Sequence, residues 1–213
     1  MKEISDIRQD YLLAELDETI VGDDPITFFT RWFAEAQKAE ITEVNAMTLA
    51  TVGIGNKPHA RIVLLKGLED DQFQFFTNYN SEKGMDIAHN PNVSLVFFWK
   101  ELERQVRIEG RASVLPADKS DAYFYTRPAG SRLGAWASPQ SKEIADRSIL
   151  DINYIQYENE FRGTEIPRPG HWGGYAVNPT VIEFWQGRSN RMHDRIVFTK
   201  APDGMWKKKR LAP

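Results

Sequence analysis

The chain has 213 residues and contains no cysteine. This absence excludes disulfide bonds, thiolate nucleophiles and cysteine-ligated zinc or iron–sulfur sites, and it fits a reducing compartment. The sequence also lacks an apolar run of the roughly 18 residues that a membrane-spanning helix needs. Its charged start, Met1 to Asp10, has no apolar segment of the kind found in signal peptides. We therefore expect a cytoplasmic protein with no membrane partner.

Several catalytic arrangements are absent as well. The four histidines, at positions 59, 89, 171 and 193, do not have the spacing of metal ligands, so we predict that the chain binds no metal. No serine lies in a Gly-x-Ser-x-Gly motif, and no pair of carboxylates stands out. The net charge of −3 argues against nonspecific binding to nucleic acid. Hydrolysis by protein side chains alone is therefore poorly supported.

Hydrophobic periodicity and turn residues predict a charged arm over residues 1–22 and a single domain over residues 23–213. A helix is expected to begin at Asp24-Pro25, because the aspartate can cap it and the proline suits its first turn. Further helices are predicted at 81–90, 116–126 and 138–161. Strands are predicted at 46–52, 58–65, 72–77, 93–99, 104–115, 173–177, 181–185, 195–199 and 205–211. Strands this closely spaced indicate an antiparallel sheet closed, or nearly closed, into a barrel with helices outside it.

Basic side chains occur beside hydroxyl groups at several places, a combination typical of phosphate binding. The groups are Arg61 with Lys66, Thr77 with Ser81 and Lys83, and Tyr123 with Arg127 and Ser131. Each also has an ordinary interpretation, as solvated strand ends, a helix cap or a solvated helix end. The basic run at 207–210 is interpreted as solvation of a strand edge. Together the groups favour a phosphorylated cofactor that supplies the chemistry, but residue patterns leave its identity open.

The polar segment 185–195 lies between two predicted strands, where functional residues are often found. If residues 191–195 are extended, alternation puts Arg191, His193 and Arg195 on one face. Two guanidinium groups beside an imidazole repel one another, so an anionic ligand is expected there.

Motifs along most of the chain resemble those of the pyridoxine/pyridoxamine 5′-phosphate oxidase family, which are FMN-dependent flavoproteins of the split-barrel class. They run in order from about residue 25 to the last residue, and as a set they are highly specific. The longest are Arg61-Ile62-Val63-Leu64-Leu65-Lys66, Ile182-Glu183-Phe184-Trp185-Gln186-Gly187, Arg191-Met192-His193-Asp194-Arg195 and Arg210-Leu211-Ala212-Pro213. Shorter ones are Phe76-Thr77-Asn78, Leu102-Glu103-Arg104-Gln105, Tyr123-Phe124, Arg127-Pro128, Gly134-Ala135-Trp136, Gln140-Ser141 and Trp172-Gly173-Gly174.

The resemblance implies an α+β fold, an antiparallel Greek-key split β-barrel with surrounding helices, and a homodimer with FMN at its interface. It implies FMN contacts from Arg61, Ile62, Val63, Leu64, Leu65, Lys66, Phe76, Thr77, Ser81, Lys83, Gln105, Gln140, Ser141, Trp185 and Arg195. It implies a substrate phosphate held by Lys66, Tyr123, Arg127 and Ser131. Arg191 and His193 would be catalytic, over the pyridine ring, and Arg8 and Tyr11 would belong to an arm that closes over the site.

The implied reaction is oxidation of the 4′ carbon of pyridoxamine or pyridoxine 5′-phosphate to the aldehyde, in vitamin B6 biosynthesis and salvage. A hydride passes to the flavin, and O₂ is reduced to hydrogen peroxide. Two alternatives stay open. One is another FMN split-barrel oxidoreductase, such as a flavin reductase, and the other is a non-catalytic carrier of pyridoxal 5′-phosphate. The Arg191–His193 stretch and the Tyr123/Arg127 pair favour the oxidase over the reductase.

One position departs from the family pattern. Where the family commonly has Ser-Arg-Lys, this chain has Ser81-Glu82-Lys83. A carboxylate near a phosphate is repulsive, by about 1 kcal/mol for unit charges at roughly 4 Å in water. We therefore expect Glu82 to turn to solvent and FMN affinity to depend more on Arg61 and Lys83.

Overall fold

A computed structural model of the chain describes residues 3–6 and 10–213. The helices are α1 (Glu18–Val21), α2 (Pro25–Lys38), α3 (Glu82–His89), α4 (Ala117–Thr126), α5 (Ala129–Ala137) and α6 (Ser148–Glu160). The strands are β1 (Ala46–Val52), β2 (Pro58–Leu64), β3 (Gly67–Glu69), β4 (Gln72–Asn78), β5 (Asn92–Trp99), β6 (Arg104–Val114), β7 (Trp172–Gln186), β8 (Asp194–Lys200) and β9 (Trp206–Leu211). In this part of the chain, no helix is long and apolar enough to cross a membrane.

The strands join in the hydrogen-bonded order β2-β1-β5-β6-β7-β4-β3, with β8 paired to β7 and β9 to β8. The pairs β3–β4, β4–β7, β7–β8 and β8–β9 are antiparallel. Neighbours such as β7 and β4 are distant in the chain, as Greek-key connections require. The expected α+β fold with an antiparallel sheet is confirmed.

Contacts between Cα atoms divide the chain into two compact units. The first comprises Met1–Leu49, Ser94–Gly110 and Pro179–Pro213, and the second comprises Ala50–Val93 and Arg111–Asn178. The division into an arm over residues 1–22 and one domain over 23–213 stays a prediction.

Helix α2 fills the core of the first unit. Asp24 caps it as expected, because its carboxylate accepts hydrogen bonds from the amides of Ile26 (3.0 Å) and Thr27 (3.2 Å). Phe28, Phe29, Trp32 and Ala36 form a buried apolar stripe, with Phe28 packed edge-on against Phe184 of β7 at 4.6 Å between ring centroids. The predicted start of α2 is therefore confirmed.

The core of the second unit is built by β4 and β7. Phe73 and Phe75 of β4 are fully buried, and Phe75 stacks on Tyr175 of β7 at 5.5 Å. Helix α3 is also confirmed, since its cap Ser81 accepts a hydrogen bond from the Gly84 amide at 3.4 Å.

The prediction of one helix over 138–161 is wrong for its first part. Residues 138–147 are not helical, and α6 begins only at Ser148. Ser141 has a left-handed φ of 66°, which interrupts any right-handed helix begun at Ser138. Pro139 is not the cause, because proline fits the first turn of a helix. Helix α5, which starts directly after Pro128, was not predicted.

The predicted break at 178–180 is also wrong, because β7 is one strand of 15 residues. Its pairing with β4 ends at Val177, and its pairing with β8 begins at Val181. Pro179 therefore lies where the strand changes partners on that edge, and its missing N–H group costs no hydrogen bond to β4 or β8. The three-residue strand β3 was not predicted.

Candidate active site

A cavity of about 480 Å³ lies in the second unit. It is lined by Ile62, Val63, Leu64, Lys66, Phe76, Thr77, Asn78, Lys83, Tyr123, Arg127, Pro128, Ser131, Gln140 and Trp172. Strand β2 supplies one wall, the end of β4 another, and α4 and α5 a third. The fold therefore brings together most residues that the resemblance assigns to the cofactor and all four assigned to the substrate phosphate.

Three aromatic rings form a stack at this cavity. Phe76 lies 4.0 Å from Tyr123 and 5.6 Å from Trp172 between ring centroids, with interplanar angles of 22° and 15°. The guanidinium carbon of Arg127 lies 4.5 Å above the centre of the Trp172 ring. Sequence reasoning gave Trp172 no role, although it lies in a matching motif. The stack provides a flat apolar surface with one cation fixed against it.

Arg127 has a hydrogen-bond donor that lacks a partner among the described residues. Its Nη1 atom is buried and has no hydrogen-bond partner within the described residues. Burial lowers the pKa of Arg127, and the nearby Tyr123 partly opposes that shift. A buried donor without a partner costs about 1–3 kcal/mol. An anion bound in the cavity would remove this cost.

Lys83 is the second desolvated cation of the cavity. Its side chain is on the buried side of α3, only 8% exposed, and its Nζ atom lies 3.3 Å from the Ser81 hydroxyl. Burial lowers the pKa of Lys83, and the positive charge of Arg61 lowers it further. A lysine held at the start of a helix, beside a hydroxyl group, suits a phosphate ligand.

Arg61 is held by a polar cluster that sequence reasoning missed. Its Nη1 atom donates to the Thr51 hydroxyl at 2.6 Å, and its Nη2 atom lies 3.6 Å from the carboxylate of Asp86. Asp86 also accepts a hydrogen bond from Thr51 at 2.6 Å and contacts His59 Nδ1 at 2.9 Å. Burial alone would raise the pKa of Asp86, but these hydrogen bonds hold it below its usual value. The position of Asp86 on the buried face of α3 was the available signal.

Glu82 is solvent-accessible but does not turn away from the site. Its side chain is 55% exposed, yet its carboxylate lies 3.3 Å from Arg61 Nη2. The position that commonly carries a cation in the family therefore carries, in this chain, an anion paired with Arg61.

A second cluster of candidate residues lies in the first unit. The rings of Trp185 and His193 are 4.6 Å apart, and Tyr11 lies 5.7 Å from Trp185 and 5.8 Å from His193. The Arg188 amide donates to His193 Nδ1 at 3.1 Å. Because Nδ1 accepts this bond, the neutral imidazole carries its proton on Nε2. His193 therefore presents an N–H donor.

The segment around His193 is not extended, so the expected alternation of Arg191, His193 and Arg195 is wrong. Residues Ser189–Arg191 form a 3₁₀ turn, in which Asn190 and Arg191 have left-handed φ values of 53° and 61°. Strand β8 begins only at Asp194. Asparagine tolerates this conformation better than most residues, which was the available signal.

The expected repulsion involving Arg195 is also wrong, because a buried carboxylate balances its charge. Glu183, 3% exposed, accepts from Arg195 Nε at 2.9 Å and from Arg107 Nη2 at 2.7 Å. Burial alone would raise the pKa of Glu183, but the two arginines hold it below its usual value. Arg195 also donates to the backbone oxygen of Ala212 at 3.0 Å.

The remaining predicted contacts are scattered. Leu65 is buried directly after β2, and Ser81 is buried as the cap of α3. Ser141 is exposed in the second unit, while Gln105 is half-buried on β6 in the first. Arg8 lies outside the described residues. In residues 3–6 and 10–213, no three His, Cys, Asp or Glu side chains are grouped to hold a metal ion.

Two models of known protein families match the chain. A family model described as "Pyridoxamine 5′-phosphate oxidase" matches residues 33–159. A second, described as "Pyridoxine 5′-phosphate oxidase C-terminal dimerisation region", matches residues 172–213. The chain belongs to the pyridoxamine 5′-phosphate oxidase family. The membership expected from the sequence motifs is therefore confirmed.

Relatives of this family member cover its whole length. The pyridoxine/pyridoxamine 5′-phosphate oxidase of Cupriavidus necator is 54% identical over 213 residues, which is 100% of both chains. The protein of the same name from a Cyanothece species is 56% identical over 210 residues, covering 99% of this chain and 98% of the relative.

Two solved structures share the fold. PhzG of Burkholderia lata, solved with tetrahydrophenazine-1-carboxylic acid, has a TM-score of 0.85 and 29% identity, covering 90% of this chain and 94% of its own. A pyridoxamine 5′-phosphate oxidase-related, FMN-binding protein of Nostoc punctiforme has a TM-score of 0.72 and 16% identity, covering 90% and 100%. The latter likeness bears on the fold alone. The split-barrel prediction is confirmed.

Proposed function

We propose that the chain is an FMN-dependent oxidase that converts pyridoxamine 5′-phosphate or pyridoxine 5′-phosphate to pyridoxal 5′-phosphate, with O₂ reduced to hydrogen peroxide. The observation that carries this proposal is the cavity with two desolvated cations, Arg127 and Lys83. Two separate cations suit two phosphates, one from a cofactor and one from a substrate. The relatives that match the whole chain are named for the same activity.

The residues at the start of α3 fit the phosphate of FMN. Lys83 and the Ser81 hydroxyl lie together there, and Thr77 lines the same cavity. Arg61 adds a cation whose Nη2 atom is close to the exposed Glu82. FMN, when bound, supplies the acceptor for the hydride of the 4′ carbon and the route for its electrons to O₂. The protein supplies binding, orientation and electrostatics.

Lys66, Tyr123, Arg127 and Ser131 are assigned to the substrate phosphate. Arg127 offers a buried Nη1 donor, and the aromatic stack beside it offers a flat surface. Charge-assisted hydrogen bonds from an arginine are about twice as strong as neutral ones. Anchoring the phosphate fixes the distance between the 4′ carbon and the cofactor, which lowers the entropic cost of reaching the transition state.

Arg191 and His193 are assigned to the reacting end of the substrate. Because His193 Nδ1 accepts the Arg188 amide, the Nε2–H group of the neutral ring is a donor to the oxygen or nitrogen on the 4′ carbon. The ring accepts a proton only by giving up its bond from Arg188. We therefore assign His193 to orientation of the substrate rather than to proton abstraction. Arg195, already paired with Glu183, is assigned to holding the site in shape.

We further propose a homodimer with FMN at its interface, each site drawing on both chains. Two observations support this assignment. The C-terminal match is to a dimerisation region, and Ile62, on the strand assigned to FMN, is 64% exposed. A large apolar side chain on a strand with ligand-binding residues suits a covered surface better than open water. A cytoplasmic location stays a prediction.

The test is incubation of the purified protein with pyridoxamine or pyridoxine 5′-phosphate in air. An oxidase produces aldehyde and hydrogen peroxide in equal amounts, and the amine substrate also releases ammonia. A carrier of pyridoxal 5′-phosphate binds the compounds without forming peroxide. A flavin reductase consumes reduced nicotinamide instead and leaves the B6 compounds unchanged. Either of these last two results would contradict the proposal.

A further inference from the structure

The N-terminal arm is tied to the first unit by Arg210 of β9. The Nε and Nη2 atoms of Arg210 contact the two carboxylate oxygens of Glu18 at 2.9 and 3.0 Å. Nη2 also donates to the backbone oxygen of Leu16 at 3.0 Å, and Nη1 donates to Asp194 at 2.7 Å. One guanidinium group therefore joins the arm to the first residue of β8. This is more than the strand-edge solvation that the basic run suggested.

Asp194 is the second junction of the same network. Its Oδ2 atom accepts from the Leu16 amide at 3.1 Å and lies 3.3 Å from Arg188 Nη1. Arg188 in turn contacts Glu15 of the arm at 2.7 Å. The chain of charges Glu18–Arg210–Asp194–Arg188–Glu15 thus starts and ends on the arm. Its middle member is the residue that follows His193.

Tyr11 lies on the same arm, four residues before Glu15 of the network. The Tyr11 ring sits edge-on to Trp185 and His193, and there is no room for a side chain beneath it. A Cβ atom at Gly187 would be 2.7 Å from the Tyr11 ring. The Leu13 amide adds a bond to the carboxylate of Glu103 at 3.1 Å. The arm therefore follows one path from β9 to the imidazole of His193.

Single exposed ion pairs contribute little, because solvent screens them and ordering the side chains costs entropy. This network differs because Arg210 is bidentate to one carboxylate and bridges to another, and each junction also binds backbone. Lys208, on the same face of β9, donates to the backbone oxygens of Glu18 and Gly22 at 2.8 Å each.

We propose that Arg210 and Asp194 are positioning residues, which hold the arm so that Tyr11 covers His193 while substrate is bound. The proposal rests on the assignment of His193 to the substrate in the proposed function. Without the network the arm would leave His193 uncovered, and the substrate would lose contacts that it makes before and during the reaction. Loss of such uniform binding raises KM more than it lowers kcat.

Because the chain has no cysteine, a single introduced cysteine can carry a label that reports on the arm. A single Leu12→Cys substitution provides one labelling site, because Leu12 is 75% exposed and the chain has no other thiol. A spin label there reports arm mobility in the FMN-loaded protein. In this background Arg210→Gln is compared with Lys209→Gln, which removes the same charge from the neighbouring residue, on the other face of β9. Arg210→Lys keeps the charge without the bidentate contact.

Arg210→Gln is expected to mobilise the label and to raise KM for pyridoxamine 5′-phosphate about fivefold, with kcat changed less than about twofold. FMN content should be unchanged, Lys209→Gln should match the parent, and Arg210→Lys should lie between. Label mobility and KM equal to those of Lys209→Gln would overturn the proposal. A mobile label with unchanged KM would overturn the positioning role.

Failure of the variant to fold and absence of oxidase activity have different consequences. If Arg210→Gln does not fold, Glu18→Gln removes the same pair from the arm, and the same two readouts decide. If the parent protein oxidises no B6 substrate, the proposed function fails, whereas label mobility still shows whether the network holds the arm.

Discussion

The cations of the two units differ in what surrounds them. In the second unit, Arg127 has a buried nitrogen with no partner among the described residues, and Lys83 is desolvated with a hydroxyl beside it. In the first unit, Arg195 and Arg107 share the buried Glu183, and Arg188 and Arg210 share Asp194. From sequence, Arg127, Lys83 and Arg195 all looked alike as candidates for anion binding, whereas Arg107 and Arg188 were given no role and Arg210 was interpreted as solvating a strand edge.

This difference distinguishes cations that suit a ligand from cations that hold the protein structure in place. A desolvated cation without an anion is costly in a folded protein, and it is tolerated where a ligand supplies the missing charge. A cation with its own carboxylate is more useful for fixing backbone and neighbouring side chains. The cavity of the second unit therefore suits phosphate groups, whereas the paired arginines of the first unit shape the surroundings of Trp185 and His193. Arg191, which is exposed, is the residue of that region that we assign to the substrate.

The largest effect is expected for Arg191→Ala. Loss of a group that orients the reacting end should lower kcat about 100-fold, while FMN stays bound because its proposed phosphate contacts are elsewhere. Turnover and flavin content are measured on the same preparation. The neighbouring Met192→Leu is the control and should behave like the parent. Equal losses in both variants would mean that the segment is only structural.

Arg127→Ala is expected to raise KM about 30-fold, because a charge-assisted bond to the substrate phosphate is lost. The effect on kcat should be smaller, since this contact is similar in the ground and transition states. Arg127→Lys should give an intermediate KM. Loss of flavin from Arg127→Ala would show that the division between the two phosphate sites is wrong.

Titration of Lys83 should make FMN binding depend on pH. Burial and Arg61 hold the pKa of Lys83 below its usual value of 10.5, and a bound phosphate favours the protonated form. FMN affinity should therefore be steady from about pH 7, above the second phosphate pKa of roughly 6, up to the lowered pKa of Lys83, and fall as the pH rises through that pKa. Fluorescence titration of FMN against pH measures this fall.

Two variants of Lys83 serve as controls for that titration. Lys83→Arg should remove the fall, because arginine stays protonated. Lys83→Ala should bind FMN about tenfold more weakly and without the fall. An unchanged pH profile in both variants would place the titrating group elsewhere.

The smallest effect is expected for a substitution at Glu82, which pairs with Arg61. Arg61, a cation of the second unit, is already paired with Glu82 at 3.3 Å. Because this pair is exposed, Glu82→Gln should strengthen FMN binding only about twofold. Glu69→Gln is the matched control, because Glu69 is a similarly exposed carboxylate that pairs with Lys119. Weaker FMN binding in Glu82→Gln would show that Glu82 supports the site.

Residue patterns in the sequence correctly predicted the helix starts that neighbouring residues determine. Asp24-Pro25 and Ser81 marked the starts of α2 and α3 because caps are formed by neighbouring residues. The non-helical segment before α6 was missed because composition does not mark the left-handed conformation of Ser141. The continuous β7 was missed because it depends on strand pairing elsewhere in the fold, where its partner changes from β4 to β8.

The site shows the same limit. Candidate residues of both units were found through motifs and residue clusters, whereas the carboxylates that hold some of them in place were given no role. Asp86 contacts Arg61 from 25 positions further along the chain, and Glu183 meets Arg107 across 76 positions. Such partners follow from tertiary structure, so a single sequence gives little evidence for them.

The most direct test of the oxidase assignment is the visible spectrum of the purified, FMN-loaded protein mixed with pyridoxamine 5′-phosphate under anaerobic conditions. If the chain is this oxidase, the flavin absorbance bleaches on mixing and returns when air is admitted. Flavin absorbance that stays unchanged with bound substrate would contradict the assignment.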